Sequence, residues 1–219
     1  MIQLAVFDWN GTLLSDVEAM MRGVENELAV FNLPPISLSQ YRETYDIPLT
    51  NFYAHYGITS ADIKAKSAQM STAFHSIYEP LAAHARTRAG TRHMLDYLHS
   101  KNIKRAILSN HTIEGIYMQL ERLKLTHHFE TVLANDNIAG AHLKGKLNNL
   151  KYYLKDSKFE PDEVIIVGDT IEEIEIGKHL SIKTVALTGG YNSTDRLKRA
   201  NPDFIINRLD DLIEILEKL

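Results

Sequence analysis

Cysteine is absent from the 219 residues. Disulfides, thiolate nucleophiles and cysteine-ligated zinc are excluded with it. Long hydrophobic runs are absent too: each apolar stretch is only strand length, too short for a transmembrane helix. No basic region and no cleavage site precede the apolar run that begins at Ile2, so no signal peptide is expected. Charge of one sign is also lacking. Lys plus Arg count 24 and Asp plus Glu count 28, a formal balance of −4. Such mild acidity offers no electrostatic footing for nucleic acid or an anionic membrane. A soluble, cytoplasmic globular chain is the expectation these exclusions leave. The composition agrees, since 44% hydrophobic and 24% charged residues are ordinary globular proportions. At ~150 residues per domain the length suits one or two domains, with enough chain to bury a core.

Short apolar runs alternate with helical patterns. The runs are Leu4 to Phe7, Ile103 to Leu108, Thr131 to Leu133, Val164 to Val167, Thr184 to Leu187 and Phe204 to Ile206. Runs apolar on both faces and separated by helices predict a parallel sheet covered on both sides. Helices are predicted at Thr91 to Ser100, Thr112 to Lys124, Leu147 to Lys155, Ile171 to His179, Asp195 to Ala200 and Asp210 to Leu219. This is the order of a doubly wound α/β fold. One segment breaks it. Val17, Met20, Met21, Val24, Leu28 and Phe31 keep helical spacing, and Asp16 stands near the start. Ser37 with Gln40 makes a capping-box pattern for a second helix. Pro48 to Tyr56 predicts a third, and Ile63, Met70, Phe74 and Ile77 a long fourth that ends before Pro80. The expectation is a core domain made of residues 1–14 and 85–219, carrying a small helical cap at 15–84.

The chemistry-bearing residues fall at strand ends. Strand one runs into Phe7-Asp8-Trp9-Asn10-Gly11-Thr12-Leu13-Leu14. Ligands of open α/β sheets bind at the carboxyl ends of the strands, so Asp8 stands where a reacting group belongs. Gly11 permits a tight turn, and Thr12 can hydrogen-bond within it. Strand four runs into Gly168-Asp169-Thr170, followed by Glu172 and Glu173. Two carboxylates with open positions are the usual protein share of a Mg²⁺ site. Strand two ends in Ser109-Asn110, whose hydroxyl and backbone N–H groups suit a phosphate oxygen. Lys144 and Lys146 lie at a helix start, and either could bring a positive charge to that phosphate. Thr170-x-x-Glu173 is itself a capping-box pattern. Glu172 reads as solvated, Arg196, Lys198 and Arg199 as an exposed helix face, and Gly189-Gly190 as a flexible loop. Arg22, Arg42 and Tyr45 are candidate specificity residues of the cap.

In this order the pieces resemble the haloacid dehalogenase superfamily, and the resemblance spans essentially the whole chain. Asp8 to Leu14 is similar to the first motif, usually Asp-x-Asp-Gly-Thr-Leu. Ser109 matches the second motif, and Lys146 or Lys144 the third. Gly168-Asp169 with Glu173 is similar to the fourth, usually Gly-Asp-x-x-x-Asp. The helical insert sits where the α-helical cap of the phosphoglycolate-phosphatase-like branch sits. The resemblance implies a Mg²⁺-dependent phosphatase acting on a small phosphorylated metabolite through an aspartyl-phosphate on Asp8. It implies Mg²⁺ held by Asp8, the Asn10 backbone carbonyl and Asp169, with Glu173 at the edge of that set. The phosphate would be met by Ser109 and the lysine, with Trp9, Gly11, Thr12 and Asn110 beside them.

One position departs from that pattern. Asn10 stands where the phosphatases carry a second Asp, which protonates the leaving oxygen and then activates water. An amide donates and accepts hydrogen bonds but does not titrate in this range. The missing acid–base contribution is worth ~10²–10⁴-fold in rate. Reduced or altered activity is expected, with phosphorylated Asp8 persisting. Two other readings stay open. The chain could be a catalytically disabled member that binds a phosphometabolite or a partner, or a phosphotransfer protein whose output is Asp8-phosphate. Gly168-Asp169 favours a metal and argues against dehalogenase chemistry.

Overall fold

The computed structural model describes residues 1–136 and 145–219. Six parallel strands form one sheet in the order β3-β2-β1-β4-β5-β6. They are β1 (Leu4–Phe7), β2 (Lys104–Thr112), β3 (Thr131–Asn135), β4 (Val164–Gly168), β5 (Lys183–Leu187) and β6 (Phe204–Ile206). Every residue of β1 and β4 is buried, as a sheet covered on both faces requires. Side chains alternate between the two layers. Ala5, Phe7, Ile107, Ile165 and Val167 pack with Met94, Leu95 and Leu98 of helix α5 (Thr91–Ser100) and with Ile116 and Leu120 of α6 (Ile113–Leu123). Leu4, Val6, Ala106, Leu108, Val164 and Ile166 pack on the other face with Leu150 of α7 (Gly145–Asp156) and Ile176 of α8 (Ile171–Leu180). Helices α9 (Thr194–Arg199) and α10 (Leu212–Leu216) complete the layers. The fold is the doubly wound α/β arrangement that the alternating pattern predicts.

Between β1 and α5 lie only helices: α1 (Val17–Ala29), α2 (Leu38–Thr44), α3 (Leu49–Ala54) and α4 (Ser60–Ala82). They bury a cluster of their own, built from Val24, Leu28, Tyr41, Tyr45, Phe52, Tyr53 and Met70. One member comes from outside: Tyr191, in the loop after β5. That loop also takes polar contacts from α2. Arg42 donates from Nε to the Gly190 carbonyl at 2.9 Å and from Nη2 to the Gly189 carbonyl at 2.8 Å. Asn192 Nδ2 donates to the Tyr45 carbonyl at 2.9 Å. The loop is therefore a docking post, not the free segment that its Gly-Gly pair suggests.

Several element ends differ from the expectation, each for a physical reason. Helix α4 runs through Pro80 to Ala82. Proline lacks the N–H that would bond one turn back, a cost of ~3 kcal/mol inside a helix. Here only the last turn is affected, and Tyr78 and Ala82 on either side are buried against Ala19 of α1. Strand β2 continues past Leu108 to Thr112, because its pairing with β3 shifts register there, as at a bulge. The chain after β6 begins with a short 3₁₀ turn at Leu209–Asp211, so α10 starts later than Asp210.

Among the described residues, Tyr41 has a buried hydroxyl with no hydrogen-bond partner. Its ring packs edge-on against Phe52 and Tyr191. A buried unsatisfied polar group costs about 1–3 kcal/mol. Tyr41→Phe is expected to raise stability by about 1 kcal/mol in urea denaturation, and a loss of that size would show that the hydroxyl is satisfied in solution.

Candidate active site

The carboxyl ends of β1, β2 and β4 meet beside the start of α7. Asp8 follows β1 directly, and its backbone N–H donates to the Val167 carbonyl of β4 at 3.0 Å. Lys146 projects from the first turn of α7 and is buried. Its ammonium donates to Asp8 Oδ1 at 2.7 Å and to Glu173 Oε1 at 2.5 Å, with Glu172 Oε2 at 3.4 Å. Lys144, the other candidate lysine, lies outside the described residues. Glu173 spends its second oxygen on the capping box of α8, accepting from the Thr170 hydroxyl at 2.7 Å and the Thr170 N–H at 3.2 Å. Both Glu173 oxygens are thus occupied, one by the helix start and one by the lysine. Glu172 is not solvated as expected: Asn110 Nδ2 donates to it at 2.9 Å, and its side chain is 18% exposed.

Asp169 is fully buried at the end of β4. Thr12 donates its hydroxyl to Asp169 Oδ1 at 2.5 Å, so this threonine reaches across the site and does not close its own turn. The Tyr191 N–H donates to Asp169 Oδ2 at 2.6 Å. Two glycines make this approach possible. A Cβ at Gly11, whose φ is +76°, would lie 2.3 Å from Asp169 Oδ2. A Cβ at Gly190 would lie 2.1 Å from the same atom. No other residue type lets both loops close on the carboxylate. Ser109 is buried, and its Oγ accepts from the His111 N–H at 3.1 Å, which leaves the hydroxyl hydrogen free to donate. Trp9 faces the other way: its side chain belongs to the core beneath the sheet end, with Phe7 and Leu13.

A second set of contacts was not legible in the sequence. Asp16 is the N-cap residue of α1, yet its side chain makes no cap bond. It is buried, and four donors converge on it. The Gly11 N–H reaches Oδ1 at 2.8 Å, while Asn10 Nδ2 at 2.8 Å, Tyr78 Oη at 2.9 Å and Tyr191 Oη at 3.0 Å reach Oδ2. Asn10 Nδ2 also donates to Tyr78 Oη at 2.9 Å. The amide nitrogen of Asn10 is therefore committed to Asp16 and Tyr78. The one signal available was Asp16 itself, a carboxylate two residues beyond the Asp8 motif. Of the other cap candidates, Arg22 pairs with Glu18 on an exposed face, and Arg42 anchors α2 to the Gly189-Gly190 loop. Arg196 reaches the Tyr45 carbonyl and is not a free surface charge.

The electrostatics point one way. Burial raises the Asp8 pKa well above the ordinary carboxylate range, Lys146 opposes it, and Glu173 and Asp169 add to it. Burial and Glu173 lift Asp169 to about 6, against the hydrogen bonds from Thr12 and Tyr191. Burial would depress Lys146, but Asp8, Glu173 and Glu172 outweigh it and hold the ammonium firmly protonated. Acid and base move in the same direction, so the site is short of positive charge. Hard oxygen donors with excess negative charge fit a divalent cation such as Mg²⁺. Among the described residues, no three His, Cys, Asp or Glu side chains are grouped to hold a metal. The fit is to two carboxylates, Asp8 and Asp169, with a backbone carbonyl and oxygens from water and ligand completing the shell.

The chain belongs to the haloacid dehalogenase-like hydrolase family, whose model matches residues 5–187. Within that family it stands in the phosphoglycolate-phosphatase-like branch. It is 24% identical to phosphoglycolate phosphatase 1 of Pseudomonas aeruginosa, over 96% of this chain and 78% of that one. It is 25% identical to pyrophosphatase PpaX of Oceanobacillus iheyensis, over 98% and 97% of the two chains. The structure of a predicted phosphatase from Clostridium acetobutylicum superposes with a TM-score of 0.84 at 18% identity, covering 100% of both chains.

A pH dependence follows from the buried carboxylates. Asp169 binds its proton more tightly folded than unfolded, so the stability it contributes is full below about pH 4 and is lost as pH rises through about 6. In EDTA, Asp169→Asn is expected to raise the melting temperature at pH 7.5 and to narrow the difference between pH 5.5 and pH 7.5. Thermal denaturation of the two proteins checks this, and a lower melting temperature for the variant at pH 7.5 would contradict it.

Proposed function

We propose that the chain is a Mg²⁺-dependent phosphatase of a small phosphorylated metabolite, working through an aspartyl-phosphate on Asp8. We further propose that it releases phosphate slowly, because Asn10 stands in the acid–base position. The observation that carries this reading is the Lys146 ammonium on Asp8 Oδ1 at 2.7 Å, with Asp169 buried near enough to act on the same carboxyl group. The names of the relatives, a phosphoglycolate phosphatase and a pyrophosphatase, support phosphate substrates.

Asp8 attacks phosphorus, and the bond from phosphorus to the alcohol oxygen breaks. Lys146 holds the attacking carboxylate in position. Ser109 donates its free hydroxyl hydrogen to a phosphoryl oxygen as charge spreads in the transition state. Asp8, Asp169 and the Asn10 carbonyl would hold Mg²⁺, which supplies charge neutralisation for the phosphoryl oxygens. The departing oxygen takes its proton from water, since Asn10 has none to give. In the second half a water oxygen attacks phosphorus, the bond to Asp8 breaks, and orthophosphate leaves. The Asn10 amide oxygen can accept a hydrogen bond from that water but cannot remove its proton. Helices α1–α4, read as a cap over residues 15–84, exclude bulk water from the site. We read the chain as acting in the cytoplasm.

Intact-mass measurement after incubation with acetyl phosphate and Mg²⁺ tests the reading. Wild type is expected to carry one phosphoryl group, and Asp8→Asn none. Asn10→Asp is expected to turn over p-nitrophenyl phosphate faster than wild type by ~10²-fold or more. A wild type without adduct, together with an inert Asn10→Asp, would instead favour a member of the family that only binds its phosphometabolite.

A further inference from the structure

A cavity of about 560 Å³ lies between the cap helices and the end of β2. Its floor is Asn110, His111 and Thr112, which directly follow Ser109. Tyr78, whose hydroxyl holds Asn10 and Asp16, stands at the same end. The cavity therefore lies between the residues that follow Ser109 and the helices α1, α3 and α4.

We propose that this cavity receives the alcohol portion of the substrate, and that this alcohol is bulky, apolar and free of negative charge. The inference rests on the reading of Asp8 as phosphoryl acceptor, and it names the class of phosphomonoester that the site takes: alkyl or aryl phosphates in preference to phosphorylated hydroxyacids.

Three observations carry it. The first is size. About 560 Å³ lies within the range of pockets that hold drug-sized ligands, and a two-carbon hydroxyacid fills a small part of it. The second is the wall. Met20, Leu49, Tyr53, Ile63, Met70 and Phe74 line it, from α1, α3 and α4. The third is charge. The acidic and basic side chains that line it are Glu27, Glu79, His75 and His111, and among the described residues neither Lys nor Arg does; His111 Nδ1 accepts from the Thr112 N–H at 2.8 Å. His75 is already paired with Glu79 at 3.0 Å. Two cap cations are engaged elsewhere: Arg42 on the Gly189 and Gly190 carbonyls, and Lys66 on the Val30 carbonyl with its ammonium over the Phe31 ring. A carboxylate on the leaving group would enter a largely apolar space with neither Lys nor Arg to compensate it, and desolvation disfavours it there. An apolar alcohol instead removes its own surface and the cavity's from water.

Binding of two unreactive phosphonates, measured by isothermal titration calorimetry in Mg²⁺ buffer at pH 7.5, tests this without any turnover. The probes are 3-phenylpropylphosphonate and 3-phosphonopropionate, the latter an isostere of phosphoglycolate. The phenyl compound is expected to bind at least ten-fold more tightly. Ser71→Lys, at an exposed position on the cavity rim, is expected to reduce that ratio by tightening the phosphonopropionate. Equal affinities, the opposite order, no binding of either probe, or a ratio unmoved by Ser71→Lys would overturn the proposal. Turnover of 2-phenylethyl phosphate reports on the phosphatase reading separately. The expected binding order with no turnover leaves the cavity's preference standing and removes the phosphatase.

Discussion

Lys146 brings one positive charge to a place where Asp8, Asp169, Glu172 and Glu173 bring four negative ones. Taking charges out of water is costly, and the Lys146 ammonium offsets only part of the repulsion among the carboxylates. The site's geometry follows from that shortage. Glu173 is braced by the start of α8, Glu172 by Asn110, and Asp169 by Thr12 and the Tyr191 N–H. Each brace adds a donor beside the single ammonium of Lys146. The remaining deficit is what a divalent cation and a phosphoryl group, brought in together, would resolve.

The same economy of buried polar groups joins the cap to the core. Among the described residues no cation forms an ion pair with Asp16, and its carboxylate is held by donors from three directions: the Asn10-Gly11 turn, Tyr78 of α4 and Tyr191 of the β5 loop. Tyr191 thereby serves two centres, its hydroxyl on Asp16 and its N–H on Asp169. Its ring completes the cap's own apolar cluster. Helices α1–α4 and the buried Asp169 carboxylate are thus linked through one residue. An Asp at position 10 would set a second carboxylate against Asp16, and such pairs share a proton. Asn10 avoids that conflict, which gives the amide a structural reason beside the loss of acid–base chemistry.

Local patterning was enough to read most of the fold. Strand cores such as Val164 to Val167 are apolar on both faces, and capping boxes such as Thr170 with Glu173 are written in four residues. The helical nature of residues 17–82 was equally plain from spacing. Ends were harder. Pro80 continues a helix because Tyr78 and Ala82 are packed, a tertiary effect that no local rule contains. Strand β2 extends because its partner shifts register. Within the site, strand-end position brought Asp8 and Asp169 to one edge. The bonds of Thr12 with Asp169, and of Asp16 with Tyr78 and Tyr191, join residues 157, 62 and 175 positions apart. Such contacts exist only once the chain is folded, and the bond from Asn110 that takes Glu172 out of solvent is of the same kind.

The proposed chemistry keeps the first half of the reaction and slows the second. In the proposed mechanism Asp8, Lys146, Asp169 and Ser109 serve phosphoryl capture, while position 10, which would activate the second water, carries an amide held by Asp16 and Tyr78. Rapid-mixing kinetics with p-nitrophenyl phosphate and Mg²⁺ separate the two halves directly, because this leaving group departs without an acid. A burst of p-nitrophenolate close to one equivalent of enzyme is expected, followed by a much slower steady rate. Linear release from the first turnover, at a steady rate equal to that of Asn10→Asp, would contradict it.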